Sequence, residues 1–291
     1  MTYGWAALLG AVQGLTEFLP VSSSAHLAMA EHWGLGEPAP LAFDLALHAA
    51  TLLVAIGVFA RDWLRFVRSE RIVLWWLLLG SVPAAVAGLG FRQMFEVVRD
   101  IPASMACALL LTAWILAFTE ARDGSLHASP SPRGLAWLGW KRSLWVGASQ
   151  AFALTPGISR SGWTMMIGRL CGLSRDDAVR FSFCLMIPAV GGAALLEALK
   201  LAKRPWNEVF AEIPPGPLLA GMLSATLVGW VAVRVVFAAA RRARFHWFAV
   251  YCALFGLAIL LIESPRVGLY AAGAAGSLAA LSWLQDRITA R

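Results

Sequence analysis

Apolar residues gather into seven long runs, at 43–60, 72–91, 103–119, 181–199, 217–240, 246–262 and 267–284, with most of the charge in the short segments between them. A hydrocarbon layer about 30 Å thick requires roughly 20 apolar residues per crossing helix, so each run predicts a spanning helix. Two further regions, 5–29 and 144–170, are apolar at both ends but broken in the middle by proline, glycine and hydroxyl residues, around PVSSSAH and around PGISRSGWT. Backbone groups freed at membrane depth are tolerated only where neighbouring protein or a polar cavity satisfies them. Both regions therefore predict re-entrant helix hairpins.

Composition agrees. Of the residues, 59% are hydrophobic and 14% charged, and the mean hydropathy is +0.68, whereas soluble domains carry about 25% charge. The 291 residues leave no room for a soluble domain beside such a bundle, so the expected organisation is one integral membrane domain over 1–291. A net charge of +7 does not point to nucleic acid, because Lys and Arg lie in short clusters between apolar runs and not on one basic face. Cys107, Cys171, Cys184 and Cys252 stand singly, without the spacing of a zinc site or a disulfide framework. The first residues, MTYGWAALLGAVQGLTE, lack a positive n-region and carry Gln13 and Glu17, so they are expected to stay in the mature chain.

Lys and Arg accumulate in cytoplasmic loops. With the 61–71 loop inside, alternation places sixteen basic residues inside and six outside, provided that 144–170 enters and leaves on the inner side. Region 5–29 then enters and leaves from the outer side, which makes an inverted repeat with halves of roughly 1–120 and 140–291. Matching letters support it: Gln13 and Gln150, Ser22 and Ser159, and Ser24 and Ser161 are each 137 apart, and Phe43 and Phe181 are 138 apart. Paired broken helices of this kind put a site near the midplane, where helix N-termini face anionic groups.

The breaks are rich in chemistry. Gln13 and Glu17 are one helical step apart and share a face, and Arg160 lies in the second break. An uncompensated charge at this depth is unfavourable by about 2.5 to 3.5 kcal/mol even on lenient scales. Glu17 and Arg160 could simply pair to join the repeats while Ser22, Ser23, Ser24, Ser159, Ser161 and Thr164 cap half-helices. A pair needs two residues, and far more polar groups are present. An arginine fork, hydroxyl donors and helix N-termini suit a phosphate group, and the addition of Glu17 and His26 suits phosphoryl transfer.

Other polar positions have plainer readings. Asp44 and His48 share a helix face near an outer edge and could approach the site, but an interfacial helix start explains Asp44 equally well. Arg234 reads as a snorkelling residue, Gln150 as an interhelical hydrogen-bonding group, and Trp75, Trp76, Trp137, Trp140, Trp145 and Trp247 as interface anchors.

QGLTEFLPVSSSAHL and PGISRSGWT, followed by GLSRDDAVRFSFCLMIPAV, resemble the two signature regions of the undecaprenyl-diphosphate phosphatase, or bacitracin-resistance protein, family. The likeness extends along nearly the whole chain, through FDLALHAATLLVAI and SVPAAVAGL. It implies an all-α inverted-repeat membrane hydrolase that converts undecaprenyl diphosphate to undecaprenyl phosphate and inorganic phosphate, in the bacterial cytoplasmic (inner) membrane. The family's acidic motif falls on Gln13 and Glu17, its hydroxyl and histidine cluster on Ser22, Ser23, Ser24 and His26, and its second motif on Ser159, Arg160, Ser161 and Thr164. Gln13 stands where Glu is common and Ala25 where Gly is usual; the first departure removes a second carboxylate from any metal site.

The resulting expectation gives Arg160, Ser159, Ser161 and Thr164 the diphosphate, with Gln13, Ser22 and Ser24 beside it, and gives Glu17 a base role or, with Gln13, a divalent cation such as Mg²⁺ or Ca²⁺. Ser23 assisted by His26 is the expected nucleophile, with water activated by His26 or by the metal as the alternative. The expected partners are the polyprenyl lipid and the bilayer, a homodimer being left open. The rival reading is a lipid flippase or transporter, since inverted repeats around a midplane site are common there. The charge bias predicts that single cysteines on a cysteine-free background react with an impermeant reagent from outside at position 37 and from inside at position 69; the opposite pattern overturns this topology.

Overall fold

The computed structural model describes residues 1–35, 39–99, 101–126, 134–205, 208, 212 and 214–263. Among them every regular element is helical: α1 (Tyr3–Phe18), α2 (Ser23–His32), α3 (Leu41–Arg68), α4 (Arg71–Gly90), α5 (Arg92–Arg99), α6 (Pro102–Leu126), a 3₁₀ turn (Leu135–Leu138), α7 (Gly139–Phe152), α8 (Arg160–Leu170), α9 (Arg175–Leu201), α10 (Pro215–Arg241) and α11 (His246–Glu263). Six of these helices, α3, α4, α6, α9, α10 and α11, are long and apolar enough to cross a membrane. They correspond to the first six apolar runs; the run at 267–284 and position 37 lie outside the described residues.

Both broken regions are helix, break, helix. Helix α1 stops at the proline in the 19–22 segment and α2 restarts at Ser23, whereas α7 stops before the 153–159 segment and α8 restarts at Arg160. Serines make both restarts. Ser22 accepts a hydrogen bond from the Ala25 amide and Ser159 one from the Gly162 amide, the usual way an N-cap hydroxyl satisfies a first-turn donor. Helices α3 and α9 outrun their apolar stretches. Helix α9 starts at Arg175 because Ser174 caps it, with Asp176 and Asp177 in its first turn toward the positive end of the helix dipole. The extra turns of α3 bury Phe66 and pair Asp62 with Arg180 of α9 at 2.8 Å. The short α5, between α4 and α6, was not apparent from hydropathy.

Packing repeats between the halves. Helix α1 lies along α10, as α7 lies along α4; α3 packs on both α9 and α10, and α9 on both α3 and α4; α6 pairs with α11. Glycines set the two closest approaches. A Cβ on Gly10 would strike the backbone of Gly221, and a Cβ on Gly147 would strike the backbone of Gly80. Gly10 and Gly147 are 137 residues apart, the offset of the matched serines. Small residues let helix backbones approach where no hydrophobic force drives association in lipid. Most long aliphatic side chains around the rim, including Leu53, Leu78, Val86, Leu195, Leu223 and Leu254, point outward. Buried rings, among them Phe18, Phe59, Phe181 and Phe183, fill the middle.

Gly10→Val and Gly147→Val each push one helix off its partner, an overpacking penalty of about 1 to 3 kcal/mol. The expected result is a lowered thermal midpoint in detergent for both. Gly57→Ala, where the added methyl meets open space, leaves it the same or higher.

Candidate active site

The two breaks meet in the interior. Ser24 Oγ, at the start of α2, accepts the Gly157 amide at 3.2 Å, and Ser161 Oγ, at the start of α8, donates to the Leu19 carbonyl at 3.1 Å. Each break thus satisfies a backbone group of the other, as unwound backbone at this depth requires. Thr112 of α6 adds a third tie, its hydroxyl accepting the Ser159 amide at 3.1 Å. Ser22 is held at φ +70°, in the left-handed region that non-glycine residues seldom enter. That kink turns the chain from the end of α1 into α2 and sets Ser23 beside Glu17.

Glu17 is the hub. Its Oε1 accepts Arg160 Nη2 at 2.6 Å, and its Oε2 accepts Ser23 Oγ at 2.8 Å and Gln13 Nε2 at 3.2 Å. All three donors approach a carboxylate that is 7% exposed, and the arginine bond joins the two halves of the chain. Arg160 still has capacity, because its Nη1 is buried without a hydrogen-bond partner. A chamber of about 210 Å³ opens beside this cluster. Glu17, Ser23, Ser159 and Arg160 form its polar wall, and Leu154 and Val190 belong to an apolar one. The starts of α2 and α8 adjoin it, and first-turn amides of a helix have no acceptor within their own helix.

Most residues singled out from the sequence come together here. Glu17, Ser22, Ser23, Ser24, Ser159, Arg160 and Ser161 line the chamber, and Gln13 supports Glu17 from behind. Thr164 does not reach it; its hydroxyl bonds the Arg160 carbonyl at 2.8 Å and Ser182 of α9 at 2.5 Å. His26 is also turned away. Its Nδ1 lies 2.7 Å from the Ser22 carbonyl, so that nitrogen carries the proton, and its Nε2 meets the Tyr251 hydroxyl at 2.6 Å. The ring stacks on Phe255 at 4.6 Å, so both nitrogens tie α2 to α11 and neither faces Ser23.

His48 takes a place on the chamber wall, with Nε2 4.0 Å from Glu17 Oε2. A histidine one turn after Asp44 inside an apolar run was the only sequence signal for it. Asp44 itself faces Arg99, at 3.9 Å. Gln150 is buried with both amide atoms unpartnered, and Arg234 lies over the Trp230 ring at 3.3 Å.

Among the described residues no three His, Cys, Asp or Glu side chains cluster as a metal cage. A cation that arrives with phosphate oxygens asks for less, since Mg²⁺ commonly binds through one or two carboxylates plus substrate phosphates. Glu17 and Gln13 fit that role: the carboxylate is on the wall, and Gln13 Oε1 is buried beside it without a partner.

Residues 6–258 match the family model described as Bacitracin resistance protein BacA. Among similar curated proteins, the undecaprenyl-diphosphatase of Pelotomaculum thermopropionicum is 34% identical over 91% of this chain and 98% of its own. That of Desulfosudis oleivorans is 38% identical over 86% and 94%, and that of Korarchaeum cryptofilum 36% identical over 89% and 99%.

The crossed ties between the breaks are open to test. Ser161→Ala removes one of the two hydrogen bonds that the Leu19 carbonyl accepts, the other coming from the Val21 amide at 2.8 Å, a loss of about 0.5 to 1.5 kcal/mol, and is expected to lower the thermal midpoint in detergent. Ser81→Ala, which removes only a bond to the preceding turn of its own helix, shifts it far less.

Proposed function

Since the chain belongs to the Bacitracin resistance protein BacA family, we propose that it removes the terminal phosphate of undecaprenyl diphosphate, with the head group in the chamber and the tail in the hydrocarbon. The observation that carries this is the partly buried Arg160 guanidinium, held at Nη2 by Glu17 and, among the described residues, unpartnered at Nη1, beside a serine whose hydroxyl is already bonded to that same Glu17. The undecaprenyl-diphosphatase relatives support the substrate. In this reading the chain lies in the cytoplasmic membrane of a bacterium, the two broken regions are re-entrant hairpins, and the halves of roughly 1–120 and 140–291 form an inverted repeat.

Arg160 Nη1 and the hydroxyls of Ser22 and Ser159 bind the diphosphate oxygens, and the N-termini of α2 and α8 add partial positive charge. Glu17 Oε2 orients Ser23 Oγ and accepts its proton as the oxygen attacks the terminal phosphorus. The bridging P–O bond breaks, the prenyl monophosphate departs, and water then releases inorganic phosphate from the serine. Water attacking directly, activated by Glu17, is the alternative. A divalent cation held by Glu17 and Gln13 would offset the charge that Arg160 alone leaves uncompensated. The Leu154 and Val190 wall keeps the polar cluster against hydrocarbon and excludes bulk water.

Arg160→Lys keeps the charge but loses the planar fork, so turnover in a phosphate-release assay on purified protein should fall at least ten-fold, equivalent to about 1.4 kcal/mol. Near-normal turnover in well-folded protein would remove the clamp role. Chelation should abolish activity, and Glu17→Gln should raise the metal concentration needed for half-maximal rate as well as lower the rate. An unchanged metal dependence in Glu17→Gln would leave Glu17 only as a base or as the partner of Arg160.

A further inference from the structure

We infer that His48 is a ligand of the divalent cation at Glu17, which makes the site a mixed nitrogen and oxygen one. This rests on the proposal that a cation binds at Glu17 at all. Helix α3 places the imidazole on the chamber wall with its two nitrogens in different roles. Nδ1 lies 2.9 Å from the Asp44 carbonyl one turn earlier. A carbonyl oxygen only accepts, so Nδ1 carries a proton, and in the neutral ring Nε2 holds the lone pair. Nε2 has no hydrogen-bond partner among the described residues and faces Glu17 Oε2 at 4.0 Å.

That separation is too long for a hydrogen bond. One ion at about 2.0 to 2.2 Å from each donor spans it at a wide angle, and a small approach of the two side chains brings the donors to adjacent positions. The tie from Nδ1 to a backbone carbonyl is also the arrangement that fixes tautomer and ring orientation in metal-binding histidines. Among the described residues Glu17 Oε1 accepts only Arg160, so the carboxylate keeps acceptor capacity there, whereas Oε2 already accepts from both Ser23 and Gln13. A flip of the Gln13 amide would release Glu17 Oε2 and turn Oε1, buried and without a partner among the described residues, toward the ion as an oxygen donor. Phosphate oxygens of the substrate would complete the shell.

The consequence is a change of metal preference. Imidazole binds first-row transition ions well and alkaline-earth ions poorly. His48→Gln replaces nitrogen by oxygen at nearly the same reach, so it should weaken Mn²⁺ binding far more than Ca²⁺ binding.

The experiment uses full-length protein in detergent with methylenediphosphonate as a diphosphate that cannot be hydrolysed. Free Mn²⁺, read from its electron paramagnetic resonance signal, gives occupancy, and pulsed resonance detects directly bound ¹⁴N. The expected result is a strong ¹⁴N modulation in the native protein that disappears in His48→Gln, with Mn²⁺ affinity reduced at least about ten-fold and Ca²⁺ affinity little changed. Absence of ¹⁴N modulation in the native protein, which requires no variant to fold, overturns the ligand assignment, as does its persistence in His48→Gln. Glu17→Gln separates the two readings. If it abolishes Mn²⁺ binding while His48→Gln leaves both affinity and modulation intact, only the His48 inference fails. If Mn²⁺ binding is absent from native protein or unaffected by Glu17→Gln, the cation reading itself fails, and this inference with it.

Discussion

The ion pair between Glu17 and Arg160, at 2.6 Å, is the contact on which the interior of this protein depends. Each charge alone would be strongly unfavourable in a membrane interior, and each is supplied by a different half of the chain. A buried pair rarely adds net stability over apolar packing, yet removal of one partner is severe because the other is left uncompensated. The pair therefore acts chiefly as a constraint. It requires the end of α1 and the start of α8 to meet, and once they meet, Ser24, Ser161 and Thr112 satisfy the backbone that the two breaks leave open.

The rest of the bundle makes that meeting geometrically feasible. Glycine contacts bring α1 against α10 and α7 against α4 at backbone distance, which draws both broken regions inward while the long helices present their aliphatic surfaces outward. The two halves pack alike but differ in chemistry. Leu154 stands 137 positions after Glu17 and Arg160 stands 137 after Ser23, so a framework of matching helices carries a carboxylate and a serine hydroxyl on one side and a cation with an apolar wall on the other. A head group that is anionic and a tail that is hydrocarbon need such a two-sided chamber.

The same arrangement explains why one set of residues serves both fold and chemistry. Glu17 aligns Ser23 with the oxygen that does not hold Arg160, and Arg160 keeps a second nitrogen free because Glu17 engages only the first. Neither residue has to choose between structure and substrate. His26, by contrast, uses both ring nitrogens to join α2 to α11, which gives it a fixed place in the scaffold behind Ser23.

Sequence alone determined the class of the fold. Runs of apolar residues long enough for a bilayer mark six helices that the structure describes, and hydroxyl-rich interruptions in two others mark the breaks, because hydropathy and proline act locally. That Glu17 and Arg160 need partners was legible too, since each is a charge isolated in apolar surroundings, but their pairing stood there only as the alternative to a phosphate site, and the structure makes the pair while leaving Arg160 Nη1 unpartnered among the described residues. What the chain could not reveal was direction. His26 and His48 are both single histidines near helix starts, and only the tertiary packing turns His26 toward Tyr251 and His48 toward Glu17. Thr164 shares a motif with Arg160, yet helical rotation aims it at Ser182 instead of the chamber. A side chain's facing depends on which helices surround it, and that is fixed by contacts between residues far apart in the sequence, whose pairing no local pattern records.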